Sequence, residues 1–282
     1  MAITITLDDA NNDGKGINFN AYLSNLDKKY HSSGFGGLTN QTETGSIPDN
    51  TWVLRGDDYV SWDGKRNGLS VIFEGVEEGS WKYVFNGHKM TGEINAVTFG
   101  TNTKTSDDFP EYTNNGEIHV AFDAFNTAFG KGDFVESLAD GSTKKFIQFL
   151  NGDSIDFVGS AGRDTFTSYK RADTLHGEAG GDVLNGGKGS DTIYGDEGND
   201  KLTGGLGADI FVFEAGDGKD RITDFKGTDK IDFSGFFADF DAVKDAATQS
   251  KAGVTIEHDG GSVLLQGVKL ASLNADDFVF AI

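Results

Sequence analysis

From Gly159 onward the sequence keeps a nine-residue register for six units, and no other feature limits the possible folds so tightly. The units read GSAGRDTFT, SYKRADTLH, GEAGGDVLN, GGKGSDTIY, GDEGNDKLT and GGLGADIFV. Asp recurs at Asp164, Asp173, Asp182, Asp191, Asp200 and Asp209, and a large apolar residue follows two places later at Phe166, Leu175, Leu184, Ile193, Leu202 and Phe211. Glycines recur in the turns at Gly177, Gly180, Gly186, Gly189, Gly195, Gly198, Gly204 and Gly207. The pattern predicts a parallel β-roll in which each nonad makes a tight turn and then a very short strand, with the apolar residue pointing inward. Two nonads complete one coil. Each Asp should therefore meet its counterpart two units on: Asp164 with Asp182, Asp173 with Asp191, Asp182 with Asp200, and Asp191 with Asp209.

Glycine permits positive φ and lets backbone carbonyls approach an ion, while Asp supplies formal charge. That donor set suits a hard, oxygen-seeking cation such as Ca²⁺. The alternative, Asp used only for Asx-type turn hydrogen bonds, leaves the glycine pattern unexplained. The second unit, SYKRADTLH, lacks every turn glycine and carries Lys170 and Arg171, so it is the weakest candidate for an ion.

Charge and composition point the same way. The chain has 282 residues and a formal net charge of -21, which repels nucleic acid and anionic membrane surfaces and favours divalent cations. It has no cysteine, excluding a disulfide framework, a thiolate zinc site and a Cys nucleophile. Without a counter-ion, repulsion among the acidic residues of the C-terminal half should leave that half largely unfolded. The N-terminus, MAITITLDDANNDGKG, has no basic start and no long apolar run, so neither a Sec-type signal nor a transmembrane segment is expected.

The repeat segment resembles the RTX (repeats-in-toxin) calcium-binding domains of proteins exported by type I secretion. The resemblance continues through GDGKDRITDFKGTDKIDFSGF, which is similar to the closing segment of such domains, and reaches the C-terminal DDFVFAI, which has the acidic-then-apolar form of an uncleaved export signal. It implies an extracellular protein, a type I exporter as partner, and folding on contact with millimolar Ca²⁺.

Residues 1–152 lack the register, and the boundary expected from the sequence leaves 153–282 as the calcium-binding roll with its export signal. Ile3, Ile5 and Leu7 alternate as in a strand; INFNAYLSNLDKKY has helical spacing; TWVLRG, YVSW, LSVIFEG, SWKYVFNG, INAVTFG and IHVAFDAF read as strands between polar turns; DFVESL and TKKFIQFL read as short helices. The expected fold is α+β, an antiparallel meander sheet with helices on one face. No G-x-S-x-G and no H-E-x-x-H is present, so nothing points to an enzyme.

Three residues stand out in this half: His31 in KKYHSSGFGGLTN, and Tyr83 and His88 flanking the turn of SWKYVFNGHKMTGEINAVTFG. With NFNAYLSNL and IHVAFDAF, that segment resembles the secreted haem-acquisition proteins, the HasA-type haemophores, in the order Tyr83, His88, Gly92, Ile94, Val97, Gly100. The resemblance implies haem iron held by His31 and Tyr83, with His88 accepting a hydrogen bond from the Tyr hydroxyl, and delivery to an outer-membrane haem receptor. A phenolate is an established haem ligand, and a neighbouring His favours its formation. Departures from the family are a shorter Tyr–His turn and a shorter connection before His31, which leave Tyr30, or no loop ligand, open. The alternative for this half is a calcium-dependent cell-surface or matrix module binding extracellular polysaccharide through the aromatics and polar loops of Gly36–Asp63. A third reading, a hydrolase or lyase acting on exopolysaccharide, rests only on the kind of enzyme that carries such a tail. His119, in the alternating strand IHVAF, is read as a surface or sheet-face residue, and His176 and His258 as structural.

Overall fold

The computed structural model describes residues 2–8, 16–29, 37–38, 42–44, 53–56, 59–62, 70–75, 81–84, 89–100, 118–128, 134–139 and 142–280. The chain is mostly β with few helices and divides into two compact units, one of Met1–Ile5 with Ala21–Leu150, the other of Thr6–Asn20 with Asn151–Ile282.

In the first unit the strands pair antiparallel. Ser70–Gly75, Lys89–Gly100 and Ile118–Ala128 are neighbours, with Tyr59–Trp62 and then Gly37–Leu38 beyond Ser70–Gly75. A branch runs from Lys89–Gly100 through Trp81–Val84 and Val53–Gly56 to Thr42–Thr44. Period-two alternation buries Val97 and Phe99 on one strand and Ile118, Val120 and Phe122 on the next. Phe134 from the helix Phe134–Ala139 and Phe146 from the helix Lys144–Leu150 complete that core, 5.5 Å apart between ring centroids.

In the second unit successive strands alternate between two parallel sheets. Ser154–Val158, Thr174–His176, Thr192–Tyr194, Ile210–Val212, Lys230–Asp232 and Phe278–Val279 form one. Thr165–Thr167, Val183–Asn185, Lys201–Thr203, Lys219–Ile222 and Gly261–Gln266 form the other, which ends in the antiparallel strands Gly253–His258 and Ala247–Gln249. Through the repeats the register advances by two nonads per coil: Leu175 faces Ile193, which faces Phe211, while Phe166 faces Leu184, which faces Leu202. All six of these side chains are fully buried. A three-residue strand contributes only one inward side chain, so each sheet gives the core a single file of large residues, and each carries about 2 kcal/mol of transfer free energy.

The first coil is closed by residues distant in sequence. Asn18 bridges to Thr165 in parallel, Asn20 Nδ2 donates to the Thr167 carbonyl at 3.1 Å while its Oδ1 accepts from Thr167 N–H at 2.8 Å, and the Phe19 ring packs edge-on against Phe166 at 5.4 Å. This segment therefore stands where a preceding coil would.

Candidate cation ladder of the repeats

Each repeat Asp follows a tight turn and precedes a strand, so its carboxylate lies beside the backbone of the neighbouring coil. One carboxylate oxygen is always used in the same way. Asp182 Oδ1 accepts from Asp164 N–H at 2.7 Å, Asp191 Oδ1 from Asp173 N–H at 2.9 Å, Asp200 Oδ1 from Asp182 N–H at 2.6 Å, and Asp209 Oδ1 from Asp191 N–H at 3.1 Å. The structure thus brings together the four Asp pairs expected from the spacing, joined through a backbone donor.

The second oxygen separates the rungs into two kinds. Asp164 Oδ2 accepts from Ser160 N–H at 2.5 Å and Ser160 Oγ at 2.9 Å, and Asp173 Oδ2 accepts from Ser168 Oγ at 2.5 Å. These two oxygens are satisfied within the protein. In contrast, Oδ2 of Asp182, Asp191, Asp200 and Asp209 is buried without a hydrogen-bond partner. A buried, unpartnered carboxylate oxygen is expensive unless a cation meets it. Burial, with the charges of neighbouring carboxylates, pushes Asp182 up to about 8 and Asp191 up to about 7, and burial likewise raises Asp200 and Asp209.

Glycine is needed where the coils touch. Gly198 stands so close to the preceding coil that a Cβ there would lie 1.8 Å from the Gly180 carbonyl oxygen and 3.0 Å from Asp200 Oδ1; at Gly207 the corresponding distances are 1.4 Å to the Gly189 oxygen and 3.2 Å to Asp209 Oδ1. At Gly177 one Cβ position would lie 2.4 Å from the Gly195 oxygen and 2.7 Å from Asp182 Oδ2. Carbonyl and carboxylate oxygens thus converge at Gly177, Gly198 and Gly207, as the residues must if they are to hold a hard cation. Gly180, Gly186, Gly189, Gly195 and Gly204 stand against the same kinds of atom. Among the described residues no group of three or more His, Asp or Glu could hold a metal by side chains alone, so backbone carbonyls must supply part of any coordination shell.

The ladder runs past the residues found from the nonad count. Asp220 Oδ1 accepts from Asp200 N–H at 2.9 Å, and Asp229 Oδ1 from Asp209 N–H at 3.3 Å, so the last two rungs arrive after 20 residues rather than 18. Counting by nines misses them; the visible signal is the G-x-G-x-D of Gly216–Asp220. At the other end Ile17 N–H donates to Asp164 Oδ1, a partner with no counterpart in the repeat pattern.

Of the residues singled out in the first half, Tyr83 lies within the strand Trp81–Val84, opposite Leu54 on one side and Met90 on the other. His31 and His88 lie outside the described residues. His119 is half-buried beside Glu74, its Nε2 3.6 Å from Oε1. His176 stacks on Tyr194 at 4.1 Å, and His258 sits among Phe213, Phe233 and Phe236. Among the described residues no helix is long and apolar enough to cross a membrane.

Known proteins are similar to parts of this chain. No curated protein matches the chain. Among solved structures, the AlgE6R3 subunit of the Azotobacter vinelandii mannuronan C5-epimerase is 32% identical over 42% of this chain and 78% of its own, with a TM-score of 0.36. Holo haemophore HasA of Yersinia pestis is 18% identical over 52% of this chain and 87% of its own, TM-score 0.36. The extracellular lipase LipA of Serratia marcescens is 19% identical over 84% of this chain and 32% of its own, TM-score 0.39. The model of the RTX calcium-binding nonapeptide repeat (4 copies) matches residues 158–193 and 176–211, the span of the buried Asp ladder, and the chain therefore carries RTX calcium-binding repeats.

Proposed function

We propose that this chain is an extracellular calcium-dependent binding protein, exported by a type I system, whose C-terminal β-roll folds on Ca²⁺ and whose N-terminal unit binds haem and hands it to an outer-membrane receptor. The calcium half rests on one observation: Asp182, Asp191, Asp200 and Asp209 each present a buried carboxylate oxygen that accepts no hydrogen bond, that of Asp209 lying 3.9 Å from Lys226 Nζ. Their cost in the folded state is relieved by a divalent cation at millimolar concentration, which would favour folding outside the cell. In this reading the repeats and their acidic-then-apolar C-terminus deliver the N-terminal unit, and the protein is a carrier rather than a catalyst.

The haem half is supported by the sequence order Tyr83, His88, Gly92, Ile94, Val97, Gly100 and by the pairing of Trp81–Val84 with Lys89–Gly100, which makes the hairpin that this order requires. His31 and Tyr83 are the proposed iron ligands, with His88 positioning the Tyr83 hydroxyl. The test is a hemin titration of the full chain in millimolar Ca²⁺, followed by absorbance. Saturable Soret and charge-transfer bands, lost in Tyr83→Ala, support the carrier. Without saturable bands the haem reading fails, and glycan-array binding in Ca²⁺ becomes the test of a polysaccharide-binding module.

A further inference from the structure

We propose that the loop Gly216–Asp220, together with Asp200, forms a divalent-cation site outside the nonapeptide repeats, whereas the companion ladder ends on the ammonium of Lys226. The inference rests on the calcium reading of the ladder and extends it to residues beyond the matched span 158–211.

The loop rebuilds a repeat turn from a sequence that is out of step. Gly218 bridges to Gly198 in parallel, and a Cβ on Gly218, at φ +99°, would lie 1.8 Å from the Gly198 carbonyl oxygen. Gly198 makes the same approach, also 1.8 Å, to the Gly180 oxygen one coil earlier. Asp220 then occupies the repeat Asp position. It is 4% exposed, its Oδ1 is used by Asp200 N–H, and its Oδ2 is buried with no partner, as is Asp200 Oδ2. Asp217, 6% exposed in the same loop, adds negative charge nearby, its Oδ2 accepting from Glu214 N–H at 2.6 Å. Among the described residues no Lys or Arg forms an ion pair with Asp200, Asp217 or Asp220. Carboxylates and a backbone carbonyl, with no nitrogen or sulfur donor, select a hard cation of the Ca²⁺ class.

The other ladder ends differently. Both oxygens of Asp229 are used: Oδ1 accepts from Asp209 N–H and, at 3.3 Å, from Thr228 Oγ1, and Oδ2 accepts from Lys226 N–H at 3.1 Å. Lys226 Nζ lies 3.6 Å from Asp229 Oδ1 and 3.9 Å from Asp209 Oδ2, and donates to the Gly205 carbonyl at 2.7 Å. An ammonium therefore sits among two carboxylates and a carbonyl, the donor types that a metal ion takes in the other ladder. One end of the fold carries its counter-charge covalently, and the other must collect it from solution.

The test is calcium stoichiometry of the full chain by native mass spectrometry and calorimetry, with folding followed by far-UV circular dichroism. Asp220→Asn, which keeps the Oδ1 acceptor, is expected to bind one Ca²⁺ fewer than the unaltered protein. Lys226→Gln is expected to raise the Ca²⁺ midpoint for folding several-fold. An unchanged stoichiometry in Asp220→Asn overturns the site, and an unchanged midpoint in Lys226→Gln overturns the role of the ammonium. Should Asp220→Asn fail to fold in Ca²⁺, a Tb³⁺-soaked crystal of the unaltered chain decides. An anomalous peak about 2.3–2.6 Å from Asp220 Oδ2 supports the site. Peaks at Asp182 and Asp191 without one at Asp220 overturn it. If the unaltered chain binds no Ca²⁺ at all, the calcium reading itself has failed, a result distinct from either variant's.

Discussion

Replacing Asp182 by Asn should stabilise the metal-free repeat unit and destabilise the calcium-loaded one. Asp182 is 1% exposed, uses one oxygen on Asp164 N–H, and has no partner for the other. Burial, helped by the charges of Asp200, Asp164 and Asp196, moves its carboxyl from 3.8 to about 8 in the absence of metal. At pH 7 folding must therefore neutralise a group that is ionised in the unfolded chain. At about 1.4 kcal/mol per pH unit over roughly three units, the cost is about 4 kcal/mol. Asn avoids that cost and keeps the Oδ1 acceptor. The sign with pH follows. The folded form holds the proton more tightly, so wild-type stability without metal falls as pH rises from about 4 to about 8, and the variant lacks that fall. With Ca²⁺ the order reverses, because ligand binding stabilises in proportion to the logarithm of occupancy and the variant has lost an anionic ligand. The assay is urea unfolding of the full chain by far-UV circular dichroism, in EDTA and in millimolar Ca²⁺, between pH 4 and 8. An Asp182→Asn protein that is less structured than wild type in EDTA at pH 7 would refute the reasoning.

Gly207→Ala should cost at least about 3 kcal/mol in Ca²⁺, from positive-φ strain plus backbone overlap at the Gly189 oxygen, whereas Gly227→Ala, with nothing within 4 Å of its Cβ, should be neutral or slightly stabilising; urea midpoints compare them. Ser168→Ala removes the hydroxyl that donates to Asp173 Oδ2 and should cost about 1 kcal/mol without metal by the same measurement. Burial pushes Glu74 up, but hydrogen bonds with His119 and Thr98 outweigh it and hold the carboxyl below its ordinary value. The same contact with Glu74 raises His119 against the opposing effect of its burial, so this pair stabilises below the ordinary His pKa and fades as pH rises through the raised one. An NMR titration should place His119 above 6.5, and Glu74→Gln should bring it back down.

The repeat unit was legible because its physics is periodic. One Asp and one apolar residue per nonad fix the strand, the inward face and the partner two units on, and Phe166, Leu175 and Ile193 are all fully buried as that pattern requires. What the count could not supply is what happens when the period changes. Two extra residues after Val212 shift the register to 20, so Asp220 and Asp229 fall off a nine-residue grid while staying on the ladder in space. Nor does spacing reveal that Ser160 and Ser168 already satisfy the first two carboxylates. A hydroxyl at a glycine position reads as a defect in the repeat, and only its 2.5–2.9 Å contacts show that it donates to the carboxylate oxygen that later repeats leave without a hydrogen bond. The helices Phe19–Lys29, Phe134–Ala139 and Lys144–Leu150 fall where apolar spacing put them, because each buries one stripe: Phe19 and Leu23 in the first, Phe146 and Leu150 in the last.

The segment ending at Asn20 seats itself on a strand 147 residues away, as its bonds to Asp164 and Thr167 record. Joining such distant points costs about 4 kcal/mol in chain entropy before any contact is made, since closure scales as roughly (3/2)RT ln n. The repeats, by contrast, close in steps of 18 residues, each far less demanding. Growth of the stack thus needs only short closures, while its starting plate must be joined across 147 residues. A fragment beginning at Asn151 would carry every repeat and still lack that plate, leaving Phe166 without the Phe19 ring and Asp164 without the Ile17 amide. Its first coil should fray, with rapid amide exchange at Thr165 and Thr167 in the fragment and slow exchange in the full chain.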